Sequence, residues 1–274
     1  MNKKINLWPD SYDPGIPADD FVPYLETSLL EDSSKPLGMV VVLPGGGYRV
    51  RAEHEGMPIA KKFNELGYHA AVVQYRVSPW TYPAPQQDAV RAIAIIRANA
   101  EKWNVDPDHI AICGFSAGGH LACSCGTIAM DIDRSADDMA DAFSGRPDAM
   151  ILCYPVISND PEIAHLGSFA ALSGQDEPDD DFLAMTRLED HVSADTPPAF
   201  LWHTATDNAV PVQNSLRFAE AMREQDKPAE LHIYPEGVHG LGLAEDKVDI
   251  RTWPLLAANF LERTAAFPRK TQEC

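Results

Sequence analysis

Gly114-Phe115-Ser116-Ala117-Gly118 has the spacing G-x-S-x-G, which can set a serine on a sharp turn between a strand and a helix. Residues 110–113, Ile-Ala-Ile-Cys, read as a buried strand just before it, and residues 117–129 read as a helix just after. A serine hydroxyl is a weak nucleophile until a base takes its proton, so the implied chemistry is covalent attack on a carbonyl carbon. Small residues around Ser116 leave room for neighbouring backbone. The start of a helix favours the negative charge that builds up there. A chance glycine-rich turn is the plain alternative, and the strand–turn–helix context argues against it.

A serine of this kind needs a histidine as base and a carboxylate to orient it, and in this motif they follow in the order nucleophile, acid, histidine. A strand expected over 231–234 runs into Pro235-Glu236-Gly237-Val238-His239-Gly240. One expected over 199–204 runs into Ala205-Thr206-Asp207-Asn208-Ala209-Val210-Pro211. His239 and Asp207 thus fall on successive loops at the carboxyl ends of strands. His239 would take the Ser116 proton and return it to the leaving alcohol. Asp207 would fix the imidazole tautomer and stabilise its charged form. His120, His203 and His232 fall inside the nucleophile helix or strands and read as packed or hydrogen-bonded groups. Asp207 as a mere helix start and Glu236 as a surface charge are the bland readings.

An attacked carbonyl also needs donors for its oxygen as it becomes an oxyanion. The run Met39-Val40-Val41-Val42-Leu43 ends in Pro44-Gly45-Gly46-Gly47-Tyr48. Glycines leave backbone N–H groups approachable, which points to Gly46, Gly47 and the N–H of Ala117. A phosphate-binding loop is disfavoured: no Lys-Ser or Lys-Thr follows, and the G-x-G-x-x-G spacing is absent.

The elements that must carry these loops alternate between short apolar runs and helical stripes, which predicts an α/β fold with a mostly parallel sheet and helices on both faces. Expected strands cover residues 4–8 and 21–25 as an antiparallel start, then 38–43, 68–75, 109–113, 149–153, 199–204 and 231–234. Ala89, Ile93, Ile96, Ala100 and Trp103 form one helical stripe. Pro58 opens another helix that Gly67 closes. Pro211 opens a third, with Val212, Leu216, Ala219 and Met222 expected inward. Leu256, Phe260 and Leu261 lie on the last. Residues 157–198, with Asp176-Glu177-Pro178-Asp179-Asp180-Asp181, break the rhythm and read as an insertion or small cap beside the site. The whole chain, 1–274, reads as one domain, and 268–274 as a frayed end.

Composition bounds the rest. The 274 residues carry a formal charge of −19 and are 45% apolar. That field repels phosphate backbones and anionic membrane surfaces, so neither nucleic acid nor membrane is an expected partner. No run of 18 apolar residues suggests a membrane span. Five cysteines at irregular spacing, Cys113, Cys123, Cys125, Cys153 and Cys274, read as reduced thiols. No apolar stretch follows the first basic residues, and the expected compartment is the cytoplasm. No histidine–carboxylate spacing suggests a metal, and no cofactor is expected.

Taken together, these pieces identify a resemblance. Pro44-Gly45-Gly46-Gly47-Tyr48, His54-Glu55-Gly56, Gly67-Tyr68, Tyr75-Arg76-Val77, Tyr82-Pro83-Ala84-Pro85 with Asp88, Gly114 through His120 and Val238-His239-Gly240 resemble the α/β-hydrolase esterases grouped with bacterial acetylxylan esterases and BD-FAE-like enzymes, near the hormone-sensitive-lipase-like esterases. The likeness spans about residues 39–243. Pro44 departs from it, standing where many relatives carry histidine in an HGGG-type turn. The resemblance implies an eight-stranded α/β-hydrolase sheet and a serine esterase releasing short acyl groups, most often acetyl from sugars such as xylo-oligosaccharides. A general short-chain carboxylesterase or amidase would use the same triad. A non-catalytic binding protein would usually lack one member of it. His54, Glu55 and Arg76 frame the oxyanion loop or form a structural ion pair. Trp80, Tyr82 and Trp202 line a sugar face or pack the core, with packing preferred for Trp202.

Overall fold

The computed structural model describes residues 2–12, 19–31, 33–128, 133 and 136–270. Eight strands form one sheet: β1 Asn2–Asn6, β2 Tyr24–Ser28, β3 Leu37–Leu43, β4 His69–Gln74, β5 Val105–Phe115, β6 Ala149–Cys153, β7 Ala199–Thr204 and β8 Ala229–Tyr234. Their order is β1-β2-β4-β3-β5-β6-β7-β8. The β1–β2 and β2–β4 pairs are antiparallel and the others parallel. This is the α/β-hydrolase arrangement.

Period-two alternation splits the buried strands between two cores. Met39, Val41, Leu43, Ile110, Ile112, Met150 and Leu152 face one side with α2 (Ala84–Ala98), α4 (Ala117–Thr127) and α7 (Gln213–Glu224). Val40, Val42, Ala111, Cys113, Ile151 and Trp202 face the other with α1 (Met57–Glu65) and α8 (Trp253–Ala265). Both faces are covered, which is why these strands read as unbroken apolar runs. A short α3, Ala100–Trp103, follows α2. From β3 the chain crosses one way to β4 and the other way to β5. That reversal opens a crevice at the carboxyl ends of β3 and β5, the place where open α/β sheets bind ligands.

Several boundaries differ from the sequence expectations for physical reasons. β2 begins at Tyr24 rather than residue 21. Pro23 has no N–H to give a strand paired on both sides, and its carbonyl instead accepts from Leu7 N at 3.0 Å. β1 ends at Asn6 because Trp8 leaves the sheet, its Nε1 donating to Asp88 Oδ1 at 2.7 Å. β5 starts at Val105, and a register shift against β3 absorbs the turn-like Asp106-Pro107-Asp108. On α7 the inward residues are Asn214, Ser215, Phe218 and Met222, while Leu216 is 43% exposed. Residues 268–270 are tied down rather than frayed: Pro268 O accepts from Gly38 N at 2.7 Å and Lys270 N donates to Gly67 O at 2.8 Å. Ala129, at the end of the expected nucleophile helix, lies outside the described residues, as do residues 271–274. Among the described residues Cys113, Cys123, Cys125 and Cys153 are buried free thiols.

The 157–198 segment forms α5 (Leu166–Ser173), α6 (Asp180–Thr186) and a 3-10 turn at Leu188–His191. It is more apolar inside than its acidic composition suggests, with Ile157, Phe169, Leu172 and Leu188 buried. Asn214 pins its start, Oδ1 accepting from the N–H groups of Ile157 and Ser158 at 2.9 Å each. That polar duty explains why Asn214 occupies the inner face of α7.

Candidate active site

Ser116 sits between β5 and α4 with φ 52° and ψ −118°, a strained conformation for a residue with a Cβ. Three backbone bonds hold it there. Its N–H donates to Cys153 O at 3.1 Å, and its carbonyl accepts from His120 N at 3.1 Å and Val156 N at 3.0 Å. The turn requires glycine at 114, where a Cβ would lie 2.1 Å from Gly118 O.

The loops after β7 and β8 bring the two expected partners to Ser116. His239 Nε2 lies 2.7 Å from Ser116 Oγ. His239 Nδ1 lies 2.7 Å from Asp207 Oδ2. Asp207 Oδ1 accepts from the N–H groups of Ala209 and Val210 at 2.9 Å each. The Asp207 side chain is fully buried. Burial alone would push its carboxyl up, but hydrogen bonds from His203, His239 and the Val210 N–H outweigh it and hold Asp207 well below the usual carboxylate range. A carboxylate ionised at neutral pH therefore faces Nδ1 and selects the His239 tautomer whose Nε2 can take a proton from Ser116.

Two of the three expected oxyanion donors line the crevice, and the third, Ala117, directly follows Ser116. Gly46 and Gly47 line a cavity of about 400 Å³ that also contains Ser116 and His239. Gly46 has φ +130°, open to glycine alone at low cost, and its carbonyl accepts from Arg49 N and Val50 N at 3.0 and 3.2 Å. That turn aims the loop while, among the described residues, the N–H groups of Gly46 and Gly47 meet no acceptor. Ala117, first residue of α4, has no intrahelical acceptor for its N–H. The set fits an oxygen acquiring negative charge beside Ser116.

Glu55 performs a job that the sequence left open. It is 2% exposed. Its Oε2 accepts from Gly45 N at 2.8 Å and its Oε1 from Tyr154 Oη at 2.6 Å. The Tyr154 oxygen in turn accepts from Gly242 N at 2.9 Å, and its ring meets the His239 ring at 5.0 Å between centroids. One buried carboxylate thus ties the glycine loop to the histidine loop. His54 braces the same junction, Nε2 lying 2.9 Å from Gly240 O. Arg76 does not join them: it forms a buried ion pair with Asp88, Nη2 to Oδ1 at 2.7 Å. Trp202 is fully buried and stacks on Trp253 with centroids 5.5 Å apart. Trp80 is 8% exposed and donates to Asp19, and Tyr82 packs edge-on against Phe182.

The rival histidines have both ring nitrogens or a local carboxylate to satisfy them. His203 is bonded to Ser215 Oγ and Val210 O at 2.8 Å each, and His232 to Glu230 at 2.8 Å. His120 is 1% exposed between Tyr48 Oη at 2.9 Å and Thr186 O at 3.1 Å. Burial pulls its pKa from 6.5 to about 4. The folded chain then binds fewer protons at this site than the unfolded chain between those values, so stability falls as pH drops from about 6.5 to about 4. The loss expected from this group approaches about 3 kcal/mol. Urea midpoints measured at pH 7 and 4.5 should show a markedly shallower pH dependence in His120→Gln than in the wild type. Among the described residues no group of three or more His, Cys, Asp or Glu is placed to hold a metal ion.

Comparison with known proteins places this geometry in a lineage. The BD-FAE family model matches residues 25–222. The chain is 39% identical over 249 residues to endo-1,4-beta-xylanase B of Butyrivibrio fibrisolvens, covering 88% of this chain and 38% of that protein. It is 33% identical over 215 residues to an acetylxylan esterase of Xylanibacter ruminicola, covering 76% of this chain and 42% of that one. The chain therefore spans well under half the length of these two relatives. A crystal structure of an acetyl ester-xyloside bifunctional hydrolase from Caldicellulosiruptor lactoaceticus superposes with a TM-score of 0.89 at 45% identity, over 97% of both chains. With the family model covering most of the sequence and these similarities running through the same fold, the chain belongs to the BD-FAE family.

Proposed function

We propose that the chain is a serine esterase that removes acetyl groups from acetylated sugars such as xylo-oligosaccharides. The observation that carries the reading is the continuous Ser116–His239–Asp207 chain, 2.7 Å at each link, opening on a cavity that Arg49, His54 and His165 also line. In this reading Ser116 Oγ attacks the ester carbonyl while His239 Nε2 takes its proton. The N–H groups of Gly46, Gly47 and Ala117 receive the oxyanion. Collapse breaks the bond to the alcohol oxygen, which leaves with the proton from His239. Water, activated by the same imidazole, then attacks the acyl-enzyme and restores Ser116.

The pocket composition supports a short acyl group and a hydroxyl-rich alcohol. Ala52 is the only non-glycine aliphatic residue among its lining residues, beside Arg49, His54 and His165. An octanoyl chain buried in an apolar pocket would gain about 5 kcal/mol over acetyl, and among the described residues the cavity lining holds no Leu, Ile, Val, Met or Phe side chain to bury one. The names of the xylan-acting relatives point the same way. The proposal places the enzyme in the cytoplasm, which suits the buried free thiols. Among the described residues no helix is long and apolar enough to cross a membrane.

The test is kcat/KM along acetyl, butyryl and octanoyl p-nitrophenyl esters, followed by acetate release from acetylated xylo-oligosaccharides. A fall of roughly tenfold or more from acetyl to octanoyl is expected, since the lining residues offer no long aliphatic side chain to pack a longer acyl group, together with acetate release from the sugars. A rise toward octanoyl would reject the short-acyl reading. A fall with no acetate released from any sugar would favour a general short-chain carboxylesterase.

A further inference from the structure

His165 stands at the same cavity as Ser116 and His239, and the chemistry described above does not use it. It is half-buried just before α5. Its Nδ1 lies 2.8 Å from the Oγ of Ser168, which is 1% exposed. Ser168 N also donates to His165 O at 2.9 Å, so one helical turn fixes both the backbone and the ring. The ring edge overhangs the oxyanion loop: a Cβ at Gly47 would lie 3.9 Å from His165 Cε1 and from Ser168 Oγ.

A histidine kept only for packing has both nitrogens satisfied, as His120 and His203 do. His165 differs. Its Nδ1 is taken, while among the described residues Nε2 has no partner. Burial and then the nearby His239 lower its pKa below 6.5, with Asp207 pulling the other way. The ring is neutral at pH 7, and Nε2 offers one donor or one acceptor according to the tautomer.

We propose that His165, held by Ser168, binds a free hydroxyl of the sugar ring that carries the ester, on the alcohol side of the scissile bond. The inference rests on the acetylated-sugar reading. An acetyl group has one hydrogen-bonding atom that develops charge, its carbonyl oxygen, and the backbone donors take that. What remains for Nε2 belongs to the alcohol part. His239 must reach the leaving oxygen to protonate it, so the alcohol lies beside His239, and His165 lines the same cavity near enough for the charge of His239 to act on it. A monoacetylated sugar places a hydroxyl on the carbon beside the esterified one. A hydroxyl both donates and accepts, so it satisfies either tautomer of a neutral imidazole. Sites built to hydrogen-bond a hydroxyl discriminate strongly against analogues lacking it.

The experiment compares wild type, His165→Ala and His165→Gln on p-nitrophenyl acetate, on a monoacetylated methyl xyloside, and on its deoxy analogue lacking the neighbouring hydroxyl. The readout is kcat/KM on each sugar ester divided by kcat/KM on the aryl ester. For the xyloside this ratio should fall about tenfold or more in His165→Ala, about the worth of one hydrogen bond to substrate, with partial recovery in His165→Gln. The deoxy analogue should already show the lower ratio in wild type and lose nothing further on substitution, because the two changes remove the same interaction. A xyloside ratio that stays at the wild-type value in both variants overturns the assignment, whether or not activity falls. A shift of the pH profile shared by all three substrates overturns it too, since His165 would then act through His239. A wild type that cleaves the aryl ester but frees no acetate from the xyloside overturns the acetylated-sugar reading itself, and the ligand assigned to His165 with it.

Discussion

Ser116→Ala is expected to lower turnover of an aryl acetate by a factor on the order of 10³ to 10⁶, with the fold retained. The size follows from the unity of the site. Without Oγ, His239 has no proton to take and no acyl-enzyme can form, so only water attack assisted by the backbone donors remains. Such residual catalysis is what oxyanion donors and binding leave behind when a triad is broken. The fold should survive because the turn is held by backbone: the bonds from Ser116 N to Cys153 O and from His120 N and Val156 N to Ser116 O do not involve the side chain. Alanine carries the same Cβ and accepts the same φ of 52° at similar cost. Steady-state rates and thermal unfolding of the variant and wild type check both halves. Turnover within tenfold of wild type would remove Ser116 from the mechanism.

The second large effect belongs to Asp207→Asn. The side chains are nearly isosteric, and the amide oxygen can keep accepting from Ala209 and Val210 as Oδ1 does now. That leaves the NH₂ group facing His239 Nδ1, 2.7 Å away in the wild type. An amide donor there favours an unprotonated Nδ1, which moves the ring proton to Nε2. The proton then points at Ser116 Oγ and the imidazole cannot act as base. The expected loss in kcat is on the order of 10³ to 10⁴, with KM little changed because the substitution does not touch the cavity. Kinetics on the acetyl ester at pH 7 and above measure this. A loss under tenfold would mean that Asp207 does not set the His239 tautomer.

What the sequence makes legible is what chemistry writes locally. The Ser116 turn is flanked by a strand and a helix contiguous with it, so its context is visible without tertiary information. His239 and Asp207 are legible through chain order and strand-to-loop placement, and the structure brings both to Ser116. Glu55 was harder. Its role depends on Tyr154 and Gly45, and Tyr154 is 99 residues away, so its charge reads equally well as an ion pair. His165 gives no signal because its place beside Gly47, Ser116 and His239 is a long-range contact, and the local His165–Ser168 pair alone names no site. Two of the differences, the end of β1 and the inner face of α7, share a cause: local periodicity cannot see long-range polar pairing. Leu216 fits an apolar stripe, yet Asn214 and Ser215 take the inner face because buried N–H groups at Ile157 and Ser158, and the ring of His203, need partners. The Pro23 effect on β2 was readable in principle, since a proline inside a doubly paired strand contradicts the strand.

The central claim is that ester cleavage proceeds through an acyl group on Ser116. Its most direct test is to quench the native enzyme during turnover of an aryl acetate and, in parallel, to react it with a fluorophosphonate, then map the modified peptide by mass spectrometry. Stoichiometric phosphonylation on Ser116, a quenched acetyl adduct on the same residue, and no modification of that peptide in Ser116→Ala are expected. Stoichiometric labelling of another residue, with Ser116 unmodified in an active enzyme, would contradict the claim.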